Sequence, residues 1–419
     1  MSPQIRRALA PVLFTSLVHK IGGIGITLIP VLLVDLKFNA SASATIMGIS
    51  KIGALMGALA GGILCDRIGL TKTLRVCLAL SAVGLLGLPF ATRFSSLLVS
   101  APLLLTAAMV ALFALIANVG NAIYATPSRL LISEVVPATF QKQALAWLRS
   151  TNNLGQVGSY LLSWSLTSLF VGFGLSLFFI FDATTTLIAL ILSYRLLPLI
   201  GVKSKRPPVT STPETSNDPI KGDELPQKPK SLWAPYFAFT TLLFIYAFSG
   251  GVFDVFIAAK LRLLYGADGL ALFSKIMLIN TVFCALLSVP FSKYLSSPKW
   301  AISIGFFLVV VGLSFTLNGS MTISKAYVAI AIMTFGELFF QSIASYVQLE
   351  LSPTKTKQGT AFGFGQLFQQ SGKLVGATIA FPLFVYANSA NIPITVCLVM
   401  AIASCSLIAF LWRRLSLIK

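Results

Sequence analysis

The chain is short of charge, and shortest of acid. Of its 419 residues only 10% are charged and 56% are hydrophobic. A soluble domain carries roughly a quarter charged residues. The polar shell that would keep a globule of this size in water is missing, and lipid is the expected solvent. Twelve acids stand against 31 bases, a net charge of +19. Such an excess suits nucleic acid when it gathers on one face. Here the bases punctuate apolar runs instead, which excludes nucleic acid as a partner. There is one histidine, His19, and the five cysteines (Cys65, Cys77, Cys284, Cys397, Cys405) all lie in or beside apolar stretches. No Cys/His spacing suits a metal and no disulfide framework emerges, so no metal or other cofactor is expected. A nucleotide-binding phosphate loop is also absent, which leaves an ion gradient as the energy source for any active process. Paired acids, a Cys/His couple or a metal cluster at catalytic spacing are missing as well, and an enzyme is not expected.

What is present is a series of twelve apolar runs, each near the 20 residues that span a bilayer. They cover roughly 9–34, 42–65, 73–92, 97–126, 141–169 and 172–197, then 233–259, 269–292, 300–318, 322–349, 359–386 and 391–412. The fourth is expected to continue as helix to about Glu134. The first follows Arg6 and Arg7 and is succeeded by eleven more, so it reads as a spanning helix and not as a cleaved signal. Between the two groups of six lies 203–231, with six prolines, four acids and no aromatic residue. Such a segment buries too little apolar surface to fold and reads as a flexible linker. The expected organisation is an all-α membrane protein of two six-helix halves, 1–202 and 232–419, joined by 203–231.

Orientation follows from the bases. With the N-terminus inside, twenty of the 31 fall on cytoplasmic segments and five outside (Lys37, Arg93, Lys260, Arg262, Lys325), with the remainder within helices or at their ends. The excess of bases on one side places both termini in the cytoplasm. The halves also repeat. Glu134 and Glu350 each stand three residues before a proline, Pro137 and Pro353, and Gly22-Gly23 in the first run recurs as Gly250-Gly251 in the seventh.

Between the second and third runs stands Gly62-Ile-Leu-Cys-Asp66-Arg67-Ile-Gly69-Leu-Thr-Lys72, with Arg75 beyond. A carboxylate at a membrane surface needs a cation, a helix N-terminus or water. Gly62, Asp66, Arg67 and Gly69 resemble the signature loop of the major facilitator superfamily, Gly-x-x-x-Asp-Arg-x-Gly-Arg-Lys. Leu70 and Thr71 replace its two bases. The resemblance extends over essentially the whole chain and implies a secondary transporter working by alternating access. It further implies that the first, fourth, seventh and tenth spans line a central cavity, flanked by the second, fifth, eighth and eleventh. Thr126-Pro-Ser-Arg-Leu-Leu-Ile-Ser-Glu-Val-Val-Pro137, with Gln143-Ala-Leu-Ala and Asn153-Leu-Gly155, is similar to the branch holding macrolide and siderophore exporters.

Polar residues at membrane depth mark the candidate site, because each is costly there unless paired, hydrated or neutralised. Arg149, Asn152, Asn153 and Gln156 in the fifth run, and Gln366, Gln369, Gln370 and Lys373 in the eleventh, each follow i, i+3, i+4, i+7, one face of a helix. A constant offset of 217 relates the two sets and also maps Gly155 onto Gly372. Amides donate and accept, as a hydrogen-bonding substrate requires. The same stripes would also serve interhelical hydrogen bonding. Lys20 and Glu337 each lie thirteen residues from a surface charge, Arg7 and Glu350, roughly 20 Å deep at 1.5 Å per residue. The expected substrate contacts are Lys20, Asn152, Asn153, Gln156, Gln366, Gln369, Gln370 and Lys373. Glu337 is the expected proton carrier, with Asp254 and His19 as further candidates. The expected gate is Asp66, Arg67, Lys72, Glu134, Arg149, Lys293 and Glu350. Within it Asp66 should face the helix starting near Gly359, Lys72 or Arg67 should engage Glu134, and Lys293 or Lys299 should approach Glu350. Asp182, in the sixth run, has no role from sequence.

These residues predict a monomeric, proton-driven transporter of a small polar or anionic organic solute, with export of a siderophore or drug-like compound as the first reading. Import of a metabolite or siderophore is the alternative within the same fold. A non-transporting membrane receptor is the rival from another class.

Overall fold

The computed structural model describes residues 3–23, 25–36, 38, 40–97, 103–169, 176–200, 233–265, 267–295, 297–317, 322–353, 358–386 and 391–418. The linker expected at 203–231 lies outside the described residues. Those described form helices without a strand: α1 (Pro3–Ile21), α2 (Gly25–Asp35), α3 (Ala40–Ile68), α4 (Leu70–Leu97), α5 (Leu103–Val135), α6 (Ala138–Leu169), α7 (Ser176–Leu196), α8 (Trp233–Tyr265), α9 (Ala267–Tyr294), α10 (Pro298–Leu317), α11 (Ile323–Glu350), α12 (Gln358–Tyr386) and α13 (Asn391–Leu415). Each apolar run is thus mostly helical over its described residues, and the helix of the fourth continues, as expected, to Val135. Nine helices are long and apolar enough to cross a membrane, judged among the described residues. The pieces that fall short are α1, α2, α6 and α12. The first two are one span cut in half, and the last two carry the amide stripes.

The first span differs from its expected single helix. It breaks at Gly22-Gly23, and the chain restarts at Gly25. Breaking a helix frees N–H and carbonyl groups that lipid cannot satisfy. Here two neighbouring helices satisfy them. The Asp182 carboxylate on α7 accepts the Gly25 N–H at 2.9 Å. The Ser159 hydroxyl on α6 donates to the carbonyls of Lys20, at 2.9 Å, and Ile21, at 2.6 Å. A side chain at Gly22 would collide with Asp182 and Thr185, so only glycine admits α7 this close. Asp182, buried on an outer helix, thus caps the restarted half of the first span.

Packing follows the repeat. In the first half α1 lies on α6, and α5 on α3 and α4; in the second, α8 lies on α12, and α11 on α9 and α10. Small residues allow these approaches. Gly53, Gly57 and Gly61 face Leu115, Val119 and Ile123 on α5, one glycine per helical turn. One large apolar core, including Phe239, Phe256 and Phe340, belongs to the second half, and two smaller ones fill the first, one of them taking in Tyr346 and Phe362 from the second.

The halves meet along two pseudo-equivalent seams, α3 against α12 and α6 against α9. At the first, Gly62 abuts the backbone of Gly359 and Gly363, leaving no room for a side chain. Asp66 lies one turn on and accepts from the N–H groups of Gly359, at 3.0 Å, and Thr360, at 2.7 Å, and from the Thr360 hydroxyl at 2.6 Å. The chain then reverses at Gly69, whose φ of 87° is the left-handed conformation that favours glycine. At the second seam the Lys142 ammonium and the Ser150 hydroxyl donate to the carbonyls of Leu295 and Ala285.

Candidate functional site

Between the two halves lies a cavity of about 480 Å³, within the range of small-molecule sites. It is lined from α1, α5 and α6 on one side and from α8, α9, α11 and α12 on the other. All eight stripe residues line it: Arg149, Asn152, Asn153 and Gln156 from α6, and Gln366, Gln369, Gln370 and Lys373 from α12. Asn152 Oδ1 and Gln366 Nε2 are buried without a hydrogen-bond partner among the described residues. Buried polar atoms are normally satisfied, so orphans in a cavity wall are places where a ligand can bond.

The cavity also holds the deep charges. Glu337 on α11 pairs with Arg149 on α6 at 2.8 Å, with side chains 31% and 15% exposed. Arg149 donates a second bond to the Glu337 carbonyl at 3.3 Å, and Asn280 on α9 donates to the other carboxylate oxygen at 3.2 Å. This contact ties one half to the other through the cavity wall. Lys20, expected at a depth similar to that of Glu337, donates to Asn121 Oδ1 at 3.1 Å and lies 5.4 Å from the Tyr124 ring. Asp254 and Lys373 line the cavity from α8 and α12, and both are exposed to it. His19 does not join them. Its Nδ1 bonds Thr186 on α7 at 3.2 Å, and its ring packs 4.4 Å from that of Tyr124. Adjacent residues on a helix point about 100° apart, so Lys20 and His19 cannot both face the cavity.

At the end carrying both chain termini, Asp66 faces the start of α12 as the signature loop implies. Arg67, Lys72, Glu134 and Glu350 are all exposed there. Lys293 lies 5.7 Å from the ring of Tyr294, and Lys299 4.9 Å from that of Trp412. Arg75 bonds the Ser193 carbonyl at 3.3 Å and stacks on Tyr194 at 4.1 Å, fastening α4 to α7.

Sequence reading expected α5 and α11 to line the cavity but missed most of the side chains they bring to it. Asn121, Tyr124, Ala125, Ser128 and Arg129 line it from α5, and Gln341 and Ser345, beside the expected Glu337, from α11. The signal was available. The offset of 216 that maps Glu134 onto Glu350 also maps Asn121 onto Glu337, Ala125 onto Gln341 and Arg129 onto Ser345.

The comparisons agree with this architecture. Two solved structures share the fold at low identity. One is a bacterial homologue of the iron transporter ferroportin in an outward-facing state, with TM-score 0.68, 17% identity, and 96% of this chain and 99% of that one covered. The other is the proton:xylose symporter XylE bound to 6-bromo-6-deoxy-D-glucose, with TM-score 0.64, 15% identity, and coverage of 98% and 95%. Comparison with curated protein sequences finds no match. The family model of the Major Facilitator Superfamily matches residues 13–377, and with that match spanning most of the chain, the protein is a multi-pass membrane transporter of the Major Facilitator Superfamily.

Proposed function

We propose that this transporter carries a small organic anion through the central cavity by proton-driven alternating access, as an exporter of carboxylate-bearing compounds of the siderophore or drug-like class. The observation that carries this reading is the lining itself: four cations, Lys20, Arg129, Arg149 and Lys373, against two acids, Asp254 and Glu337, among nine amides. That balance suits an anion with further hydrogen-bonding groups. The amides orient it, and the surplus of cations answers its negative charge, Lys373 among them with no hydrogen-bond partner among the described residues. A site touched by both halves changes its contacts when they rock, which ligand-coupled switching requires. Glu337 is the proton carrier in this reading, since neutralising it releases Arg149 and with it one bond between the halves. Asp66, Arg67, Lys72, Glu134, Lys293 and Glu350 form the cytoplasmic gate, both termini are cytoplasmic, the two halves are joined by the linker 203–231, and the unit is a monomer.

The same fold serves the proton:xylose symporter among the neighbours, and proton-coupled import is the second reading. One experiment separates the two. Proteoliposomes carrying the protein are loaded with labelled citrate and given a proton gradient of either sign. Citrate moving against the proton flow supports export by exchange, and citrate moving with it supports import. Flux equal to that of protein-free liposomes under both gradients removes the anion reading.

A further inference from the structure

The Arg149–Glu337 pair leaves a second arginine unexplained. Arg129 sits on α5, two turns beyond Asn121 on the face that lines the cavity. It is close enough to Arg149 for the two guanidinium charges to act on each other. Among the described residues Arg129 has no hydrogen bond, ion pair or ring contact, whereas Arg149 is held by Glu337 through both its carboxylate and its carbonyl. A guanidinium stays charged at any physiological pH and presents planar donors that match a carboxylate in two-point contact. Two such groups line one cavity, and the carboxylate of Glu337 is bonded to Arg149, so Arg129 is left without an ion-pair partner among the described residues.

We propose that Arg129 and Arg149 form an anion-binding subsite on the first half, and that Glu337, carried on the second half, is its tethered competitor. The proposal rests on the organic-anion reading above and assigns which residues take the charge. The ligand class is a carboxylate, or another planar or tetrahedral oxyanion, attached to a body small enough for the cavity. The subsite is not duplicated by the repeat. The counterpart of Arg129 is Ser345 and that of Arg149 is Gln366, both of which line the cavity without charge. The substrate is therefore held in one orientation, its anionic end on α5 and α6 and its hydrogen-bonding body toward Gln366, Gln369 and Gln370. An anion arriving on Arg129 contests Arg149 with Glu337. Its binding then cuts a bond between the halves, which links occupancy to rocking with no separate relay.

The test is equilibrium binding of citrate to the full chain in detergent, with xylitol as an uncharged probe. Arg129→Gln should weaken citrate roughly tenfold, the loss expected for a charged hydrogen bond, and leave xylitol unchanged. Arg129→Lys should recover part of it, because lysine keeps the charge but not the fork. Glu337→Gln should tighten citrate binding severalfold, and that gain should vanish in an Arg149→Gln background, as coupled neighbours require. A normal elution profile for each variant guards against misfolding, and Arg129→Lys supplies a folded partner if Arg129→Gln fails that check. Citrate binding unaffected by Arg129→Gln, or weakened by Glu337→Gln, overturns the subsite. If Lys373→Ala abolishes that binding while Arg129→Gln does not, the anion reading survives without it. Failure of citrate to bind either the natural protein or Glu337→Gln overturns both.

Discussion

The two halves share a scaffold and differ in charge. The first half turns three cations to the cavity, Lys20, Arg129 and Arg149, and no acid; the second turns two acids, Asp254 and Glu337, and one cation, Lys373. A duplicated architecture left uncharged at equivalent places would hold a substrate equally well either way round. Placing Glu337 where the first half has Asn121, and Arg149 where the second has Gln366, gives the site a polarity and the halves an attraction across it. The scaffold is shared by the two halves, and the departures from symmetry give the cavity its uneven charge.

Four substitutions probe that difference. The largest effect is expected from Glu337→Gln, which removes the carboxylate ion-paired with Arg149. Accumulation of labelled citrate under a proton gradient should fall to background in proteoliposomes while citrate–citrate exchange persists. Continued uphill accumulation would move the coupling role to Asp254. Next comes Asp66→Asn, which replaces a charge-assisted cap on α12 with a neutral one. Charged hydrogen bonds contribute about 1.5–3 kcal/mol, so transport should drop roughly tenfold or more with the protein still folded and membrane-inserted. Normal rates would show that the α3–α12 contact does not govern gating. Lys373→Ala should weaken anion binding severalfold and Lys373→Arg less, since arginine keeps the charge. Equal losses for the two would mean that shape, not charge, matters at this place. The smallest effect is expected for Asp182→Asn, which keeps an acceptor for the Gly25 N–H. Its thermal stability should fall by about 1 kcal/mol, and that of Asp182→Ala by about 1–3 kcal/mol, the cost of an unsatisfied buried donor. Equal melting curves for Asp182→Ala and the natural protein would refute the capping role.

Much of this was legible in the sequence, for identifiable reasons. Spans are written in lengths of apolar residues, and the stripes of α6 and α12 in a helical period repeated at a fixed offset, so both could be read locally. What escaped depends on residues far apart in the chain. Gly22-Gly23 and Gly250-Gly251 look alike, yet the first breaks its span and the second lies inside the continuous α8. The difference is the neighbour. Asp182 on α7 receives the freed N–H, whereas α13, the corresponding helix of the second half, contains no acid. Likewise the partner of Glu337 is Arg149, 188 residues away, and depth along a helix names no partner. Arg129 was overlooked because its repeat partner is a serine, so the internal comparison that revealed the amides carried no matching charge.

The contact of Gly62 with Gly359 and Gly363 bears on speed. Where interlocked side chains part, each must leave its rotamer well, and the activation barrier rises with their number. Bare backbone against bare backbone has no such catches, so at these glycines the seam can act as a low-friction bearing. If Asp66 gates as proposed, its hydrogen bonds beside this contact set how long the seam stays shut, while the glycines keep the passage between states quick. Adding a single methyl at Gly62 would disturb the bearing without touching the latch.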